Sequence, residues 1–368
     1  MKILLVGEFS NVHNTLANGL RALGHQVTLV SDGDGWKDYS RDIDLKRNSK
    51  EFFYSLSYLM KVKCAFRKLK GYDVVQLINP VFLPLKAERM YSLYDFLKKH
   101  NRNIYLGAFG LDYYWVKAGV EAKTFRYSDF NIGDKLRHSA DIERWKADWL
   151  YGEKGKLTRF IANDCDGIIA GLYEYYASYK PFFYNKLAFI PFPIDIEKSG
   201  FKERGHDNKV NFFIGIQKNR SEYKGTDIML NALERVKSMR PEDCNIKIVE
   251  SVPFNLYRNL MNDSDVILDQ LYSYTPAMNA LEAMAQGLIV VGGGEPENYE
   301  ILGETKLKPI INVLPSEESV FGALCRIVDN RKELPQLSVD SREYIVKHHD
   351  IIKVAKHYLN FWREHQSY

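Results

Sequence analysis

Apolar residues fall along the chain in short runs separated by longer amphipathic stretches. Ile3–Val6 is a continuous apolar run, the pattern of a strand buried on both faces. Asn14–Leu23 follows with apolar residues at helical spacing (Leu16, Leu20, Leu23) and stops at Gly24, a natural helix terminator. Val27–Val30 is the next predicted strand. Val74–Ile78 and Ile104–Ala108 repeat the pattern around a helix predicted over Met90–Lys99, and Gly167–Ala170 and Leu187–Ile190 continue it. Strands alternating with helices predict a parallel sheet covered on both faces.

Pro191-Phe192-Pro193-Ile194-Asp195 interrupts this rhythm. Two prolines flanking an aromatic cannot continue a sheet interior, so a domain boundary is placed here. Strands are then predicted at Val210–Ile214, Ile246–Val249, Val266–Leu268, Leu288–Val291 and Pro309–Val313. The division expected is a first domain over residues 1–192, a second over 193–343, and a tail over 344–368. The tail carries one long helix, Tyr344–Trp362. No short repeat period is present.

Length agrees with two domains, since 368 residues exceed what one core usually supports. No stretch approaches the ~20 apolar residues of a membrane span. Met1–Gly7 reads as a strand rather than a signal segment, because Glu8 and Asn11 follow at once. Cys64, Cys165, Cys244 and Cys325 form no CxxC pair, so neither a zinc site nor a disulfide framework is indicated. Reduced thiols in a cytoplasmic protein are expected.

Charge changes the picture more. Residues 1–194 hold 29 Lys+Arg against 21 Asp+Glu, a balance of +8, whereas residues 195–368 hold 22 against 26, or −4. Lys61, Lys63, Arg67, Lys68 and Lys70 cluster after an aromatic stretch, Phe52, Phe53, Tyr54 and Tyr58. Two readings stand: a helix packed on the sheet with a solvated basic face, or a surface docked on an anionic membrane. No nucleic-acid partner is expected.

Candidate chemistry concentrates in the second half. The loop Gly215–Asp227 leaves a predicted strand at the carboxyl edge, where parallel sheets bind ligands. Its Arg220 and Lys224 offer two cations that suit a diphosphate; a solvated basic loop is the alternative. A second cluster starts at Asp269. Thr275 is placed to cap a helix, Pro276 to occupy its first turn, and the helix to run to Gln286 before Gly287. A helix N-terminus at a sheet's carboxyl edge attracts anions, and Ser273, Tyr274 and Thr275 add hydroxyls beside it. An ordinary capped helix without a ligand is the other reading. Glu282 lies among apolar neighbours, where a carboxylate is costly unless bonded; a ribose diol or the backbone would satisfy it. Gly292-Gly293-Gly294 follows the next strand and permits close backbone approach to a ligand; a plain flexible turn accounts for it equally well.

The run Ala280–Val291, with Arg220…Lys224-Gly225 and the opening strand followed by Leu20–Val27, resembles the retaining GT-B glycosyltransferases of family 4. The resemblance implies two Rossmann-like parallel-sheet domains facing a cleft, with the nucleotide sugar on the second and the acceptor on the first. It implies that Arg220 and Lys224 hold the donor diphosphate, and that Glu282 holds the ribose, flanked by Ser273, Thr275, Pro276, Ala277 and Met278. It also implies a tail helix crossing back to the first domain. The family pattern has two glutamates, and Tyr274 stands where the first, which contacts the donor sugar, would be.

The expected activity is transfer of a sugar from a UDP or GDP donor to a saccharide or lipid-linked acceptor, in polysaccharide assembly. No cofactor or metal is expected; three DxD matches (Asp42/Asp44, Asp164/Asp166, Asp263/Asp265) are short and common. The location expected is the cytoplasm or the inner face of the membrane. A nucleotide-sugar epimerase and a non-catalytic sugar-nucleotide-binding protein are the alternatives. Glu8 and His13, in the first loop, are read either as acceptor contacts or as structural residues, and Asp112 as cleft-facing.

Overall fold

The computed structural model describes residues 1–49, 51–205, 208–217, 221–252 and 254–366. Its strands, in chain order, are β1 (Lys2–Val6), β2 (Gln26–Ser31), β3 (Ile43–Asp44), β4 (Val74–Leu77), β5 (Asn103–Ala108), β6 (Asn131–Ile132), β7 (Lys135–Leu136), β8 (Gly167–Ala170), β9 (Leu187–Phe189), β10 (Val210–Ile216), β11 (Cys244–Glu250), β12 (Val266–Leu268), β13 (Ile289–Gly292) and β14 (Ile311–Asn312). They form a seven-stranded sheet, β3-β2-β1-β4-β5-β8-β9, a five-stranded sheet, β11-β10-β12-β13-β14, and the hairpin β6-β7. Every pairing within the two large sheets is parallel. The fold is α/β, as the alternation of short apolar runs and amphipathic stretches requires.

The central strands are apolar on both faces. Ile3, Leu4, Leu5 and Val6 of β1 are fully buried, as are Ile104, Tyr105 and Leu106 of β5. The second sheet is built the same way. Phe212 and Ile214 of β10, Val266 and Leu268 of β12 and Val291 of β13 join one core with Met229, Leu233 and Val236 of the helix Thr226–Met239. In each sheet the strand order reverses once, between β1 and β4 and between β10 and β12. The carboxyl ends of strands at such a reversal frame the crevice where open α/β sheets hold ligands.

Backbone contacts divide the chain into two compact units. The first comprises Met1–Thr124, His138–Pro193 and the chain from Ile351; the second comprises Phe125–Arg137 and Ile194–Asp350. Two segments lie elsewhere than hydropathy places them. Residues 125–137, read as part of the first domain, join the second unit. The predicted tail helix Tyr344–Trp362 is two helices, Leu334–His348 and Ile351–Glu364. The break falls at His349, whose carbonyl accepts the Ile194 N–H at 2.7 Å, beside an Ile194–Asp350 bridge. Apolar spacing continues through both helices, so the pattern alone merges them.

The last helix belongs to the first unit by packing. A Cβ at Gly19 would lie 2.7 Å from the Ile351 carbonyl oxygen, so the absent side chain lets helix Val12–Ala22 meet it closely. Tyr105 donates its hydroxyl to the Trp362 carbonyl at 2.9 Å. Among the described residues, no helix is long and apolar enough to cross a membrane.

Candidate functional site

The reversal point of the second sheet brings together the loops after β10 and β12. Lys224 ends the short helix Ser221–Lys224, and its carbonyl accepts the Leu271 N–H at 2.9 Å, tying the two loops. Gly225 follows at φ 71°, and a Cβ there would sit 2.6 Å from the Leu271 Cβ. Only glycine fits this left-handed close approach. Arg220, with Lys218 and Asn219, lies outside the described residues.

Asp269, which the motif reading did not single out, is buried at the end of β12. Asn279 donates to its Oδ1 at 2.7 Å. Burial pushes the Asp269 carboxyl above its usual range, while the Lys224 charge and the Asn279 hydrogen bond pull it back. Asn279 also bonds the hydroxyl of the half-buried Tyr257, which occupies the space a side chain at Gly215 would take. Lys224, Asp269, Asn279 and Tyr257 thus form one polar group at the reversal point. A buried carboxylate at a strand's carboxyl end, ten residues before an asparagine, was the available signal.

The helix after this loop starts later than expected. It spans Met278–Ala285, with Ala277 as an N-cap that has no side-chain bond. Thr275 does not cap it. Ser273 donates its hydroxyl to the Thr275 carbonyl, and this local turn takes up residues 273–275, so Pro276 precedes the helix instead of opening it. Ala277, Met278 and Asn279 are half-buried at the helix start, where the backbone N–H groups and the dipole favour an anion.

Glu282 is in different company. Its Oε1 lies 3.2 Å from Arg258 Nε, and its Oε2 accepts the Ser199 hydroxyl at 3.3 Å. Burial raises its pKa and Arg258 opposes the rise. The structure therefore groups Glu282 with Arg258 and Ser199, and Lys224 with Asp269 and Asn279.

Tyr274 belongs to a third set. Its side chain is 1% exposed, covered by the hairpin 125–137. The Tyr274 hydroxyl accepts the Arg126 N–H at 2.7 Å. Its ring packs with Phe125 and Tyr127, at centroid separations of 5.7 and 5.0 Å, and the Arg126 guanidinium lies 4.9 Å above it. Glu295 accepts Arg126 Nη2 at 2.8 Å, Asn312 Nδ2 at 2.8 Å and the Tyr127 hydroxyl. Glu297 accepts Arg126 Nη1, and Nη2 at 3.0 Å. Burial raises the Tyr274 hydroxyl to about 12, so it is neutral near pH 7.

The same hairpin also reaches the segment after β10 and a second residue of the β12 loop. Tyr223 donates to Asp129 at 2.6 Å, and Arg137 donates to the Glu222 carbonyl at 2.8 Å while stacking 3.6 Å over Tyr272. Phe125, Tyr127 and Phe130 are each at most 3% exposed. Burial of three such side chains contributes roughly 5–9 kcal/mol toward holding the hairpin at this edge, opposed by the conformational entropy of the ordered segment.

The reversal point of the first sheet is a different environment. Glu8 accepts the backbone N–H groups of His13 at 3.3 Å and Asn14 at 2.8 Å, at the start of helix Val12–Ala22. Burial raises Glu8 to about 8 and lowers His13 to about 3. Both are buried, which favours their structural reading. Asp112 is not cleft-facing: it caps helix Tyr113–Glu121 through the Trp115 N–H and accepts the Tyr179 hydroxyl at 2.7 Å. Asp42 pairs with Arg21, Asp44 with Arg41, and Asp164 with Tyr94, so these DxD carboxylates have protein partners.

No protein-family model matches the chain, and no curated relative matches it. Solved structures do. A sucrose-phosphate synthase from Thermosynechococcus elongatus superposes with a TM-score of 0.64 at 12% identity, covering 99% of this chain and 99% of that one. HepE of Anabaena, in complex with UDP and glucose, gives 0.60 at 11% identity over 99% and 100%. A putative UDP-N-acetylglucosamine 2-epimerase from Listeria monocytogenes gives 0.56 at 12% over 99% and 95%. These likenesses define the architecture as the GT-B fold.

Proposed function

We propose that this chain is a glycosyltransferase that takes a sugar from a nucleoside diphosphate donor held on the second unit. The observation that carries this reading is the reversal point of the second sheet, where Lys224 adjoins a helix start at Ala277 without a side-chain cap. A cation and a helix N-terminus together stabilise the charge that builds on a departing diphosphate. Arg220 would add a second cation. The GT-B neighbours support the reading, since HepE is a protein of this fold complexed with UDP and glucose.

The finer reading is a retaining, family 4-like enzyme using UDP or GDP sugars, with a saccharide or lipid-linked acceptor, in polysaccharide assembly. Peripheral contact with the inner face of the membrane is part of it. Leu56 and Met60 are each 56% exposed on helix Phe52–Phe66, and the basic cluster begins on the same helix. Such a surface suits an anionic bilayer.

An epimerase on the same fold is the second reading, favoured by the Listeria neighbour. Release of nucleoside diphosphate only when an acceptor is supplied separates the two. The primary test is calorimetric titration with UDP, GDP and ADP. Selective binding of one, lost in Lys224→Ala, is expected; binding of none overturns the proposal.

A further inference from the structure

We infer that the hairpin 125–137 is a permanent wall of this ligand edge and that Arg126 determines which sugar the donor carries. The inference rests on the proposed donor site of the second unit. Three observations lead to it. The hairpin bonds to the segments that follow β10, β12 and β13, at Glu222 and Tyr223, at Tyr274, and at Glu295 and Glu297. Its aromatic residues Phe125, Tyr127 and Phe130 are buried like core, which holds it on this edge. And the side chains beneath it, Tyr274 at 1% and Glu295 at 5% exposure, have their polar atoms taken up by Arg126, Tyr127 and Asn312.

A group approaching position 274 therefore meets Arg126, whose side chain is 55% exposed, with the Glu297 side chain, 19% exposed, beside it. The exposed group at this position is thus a hydrogen-bond donor. A carboxylate there accepts hydrogen bonds from sugar hydroxyls, whereas a guanidinium only donates. Arg126 selects sugars that carry an acceptor-only group, such as an acetamido carbonyl, over sugars that present hydroxyls alone. The two glutamates fix the plane of its fork and so the direction in which its remaining N–H bonds point.

The test compares a nucleoside diphosphate with its nucleotide sugars on the same protein. Calorimetry is run with UDP, UDP-glucose and UDP-N-acetylglucosamine, or the matching set for the base bound, on wild type, Arg126→Ala, Arg126→Lys and Tyr127→Phe. Arg126→Ala is expected to lower affinity for the preferred nucleotide sugar by about tenfold or more, with less than about twofold change for the free diphosphate. Arg126→Lys should restore part of the affinity without the discrimination, because lysine lacks the fork. Tyr127→Phe, which removes one bond to Glu295 and leaves the guanidinium in place, should keep the sugar preference.

Equal loss for diphosphate and nucleotide sugar in Arg126→Ala overturns the inference, because the hairpin then only holds the loops. Tighter binding of both overturns it by making the hairpin a plug. Unchanged discrimination in a folded Arg126→Lys also overturns it, and that variant decides the matter if the alanine variant does not fold. Failure of the wild type to bind any nucleoside diphosphate is a distinct result, which removes the donor site itself.

Discussion

The two sheets reverse strand order at equivalent places, yet their reversal points are furnished in opposite ways. At the first, the chain supplies its own acceptor: the buried Glu8 carboxyl takes the N–H groups of His13 and Asn14, so the start of helix Val12–Ala22 is satisfied from within. Glu8 and His13 are both held largely neutral at pH 7 by burial. At the second, the helix start at Ala277 has no side-chain cap, and a lysine lies on the adjoining loop. Topology creates the crevice in both cases. Side chains decide whether the protein or a ligand provides the acceptor for the helix start.

The largest effect should come from closing the first crevice's turn. Gly7 sits at φ 85°, and a Cβ there would be 2.3 Å from Ile78 Cγ2 and 2.6 Å from the Phe82 carbonyl oxygen. Gly7→Ala should cost about 3 kcal/mol or more, read by denaturant unfolding. A cost below about 1 kcal/mol would mean the turn is not tightly packed.

Next comes Lys224→Ala. If the second crevice takes a diphosphate, affinity should fall about 30- to 100-fold, the contribution of a charge-assisted hydrogen bond. Unfolding stability should change little, since Lys224 is only half-buried. A comparable loss of affinity in Glu8→Gln would erase the contrast between the two crevices.

Glu8→Gln probes the first crevice by pH. Its folded pKa of about 8 exceeds the ordinary 4.5, so its favourable contribution is complete below pH 4.5 and is lost as pH rises through 8. His13 has the opposite sign: its pKa of about 3 lies below 6.5, so its contribution is complete above pH 6.5 and is lost as pH falls through 3. Between pH 6.5 and 8 the slope belongs to Glu8 of this pair, at up to about 1.4 kcal/mol per pH unit. Urea midpoints should fall with pH across that window in wild type and hold level in Glu8→Gln. Parallel slopes would show Glu8 ionising normally.

The smallest effect is expected from Asp269→Asn. It removes a buried negative charge that acts on Lys224 while keeping an acceptor for Asn279. Phosphate binding should tighten by about threefold as the local potential rises. Weakening, measured by the same titration, would mean that Asp269 orients the lysine instead.

Much of the architecture is legible in order along the chain. Buried parallel strands must be apolar on both faces, so Ile3–Val6, Val266–Leu268 and their neighbours announce themselves without any long-range information. Gly225 and Lys224 were readable too, because a loop between a strand and a helix has a known place at the sheet edge. What the linear pattern could not decide depends on contacts between distant residues. The hairpin 125–137 has ordinary turn chemistry, and nothing in it reveals that its aromatic residues pack around Tyr274, nearly 150 residues away. The break between helices Leu334–His348 and Ile351–Glu364 depends on Ile194 bonding at His349. The apolar sequence neighbours of Glu282 mark its carboxyl as one that needs partners, but Arg258 and Ser199, which supply them, are remote in sequence. Local propensity and hydrophobic period act over a few residues and set the elements. The partners of a buried polar atom are chosen by whatever the fold delivers to it, and only the tertiary structure supplies that.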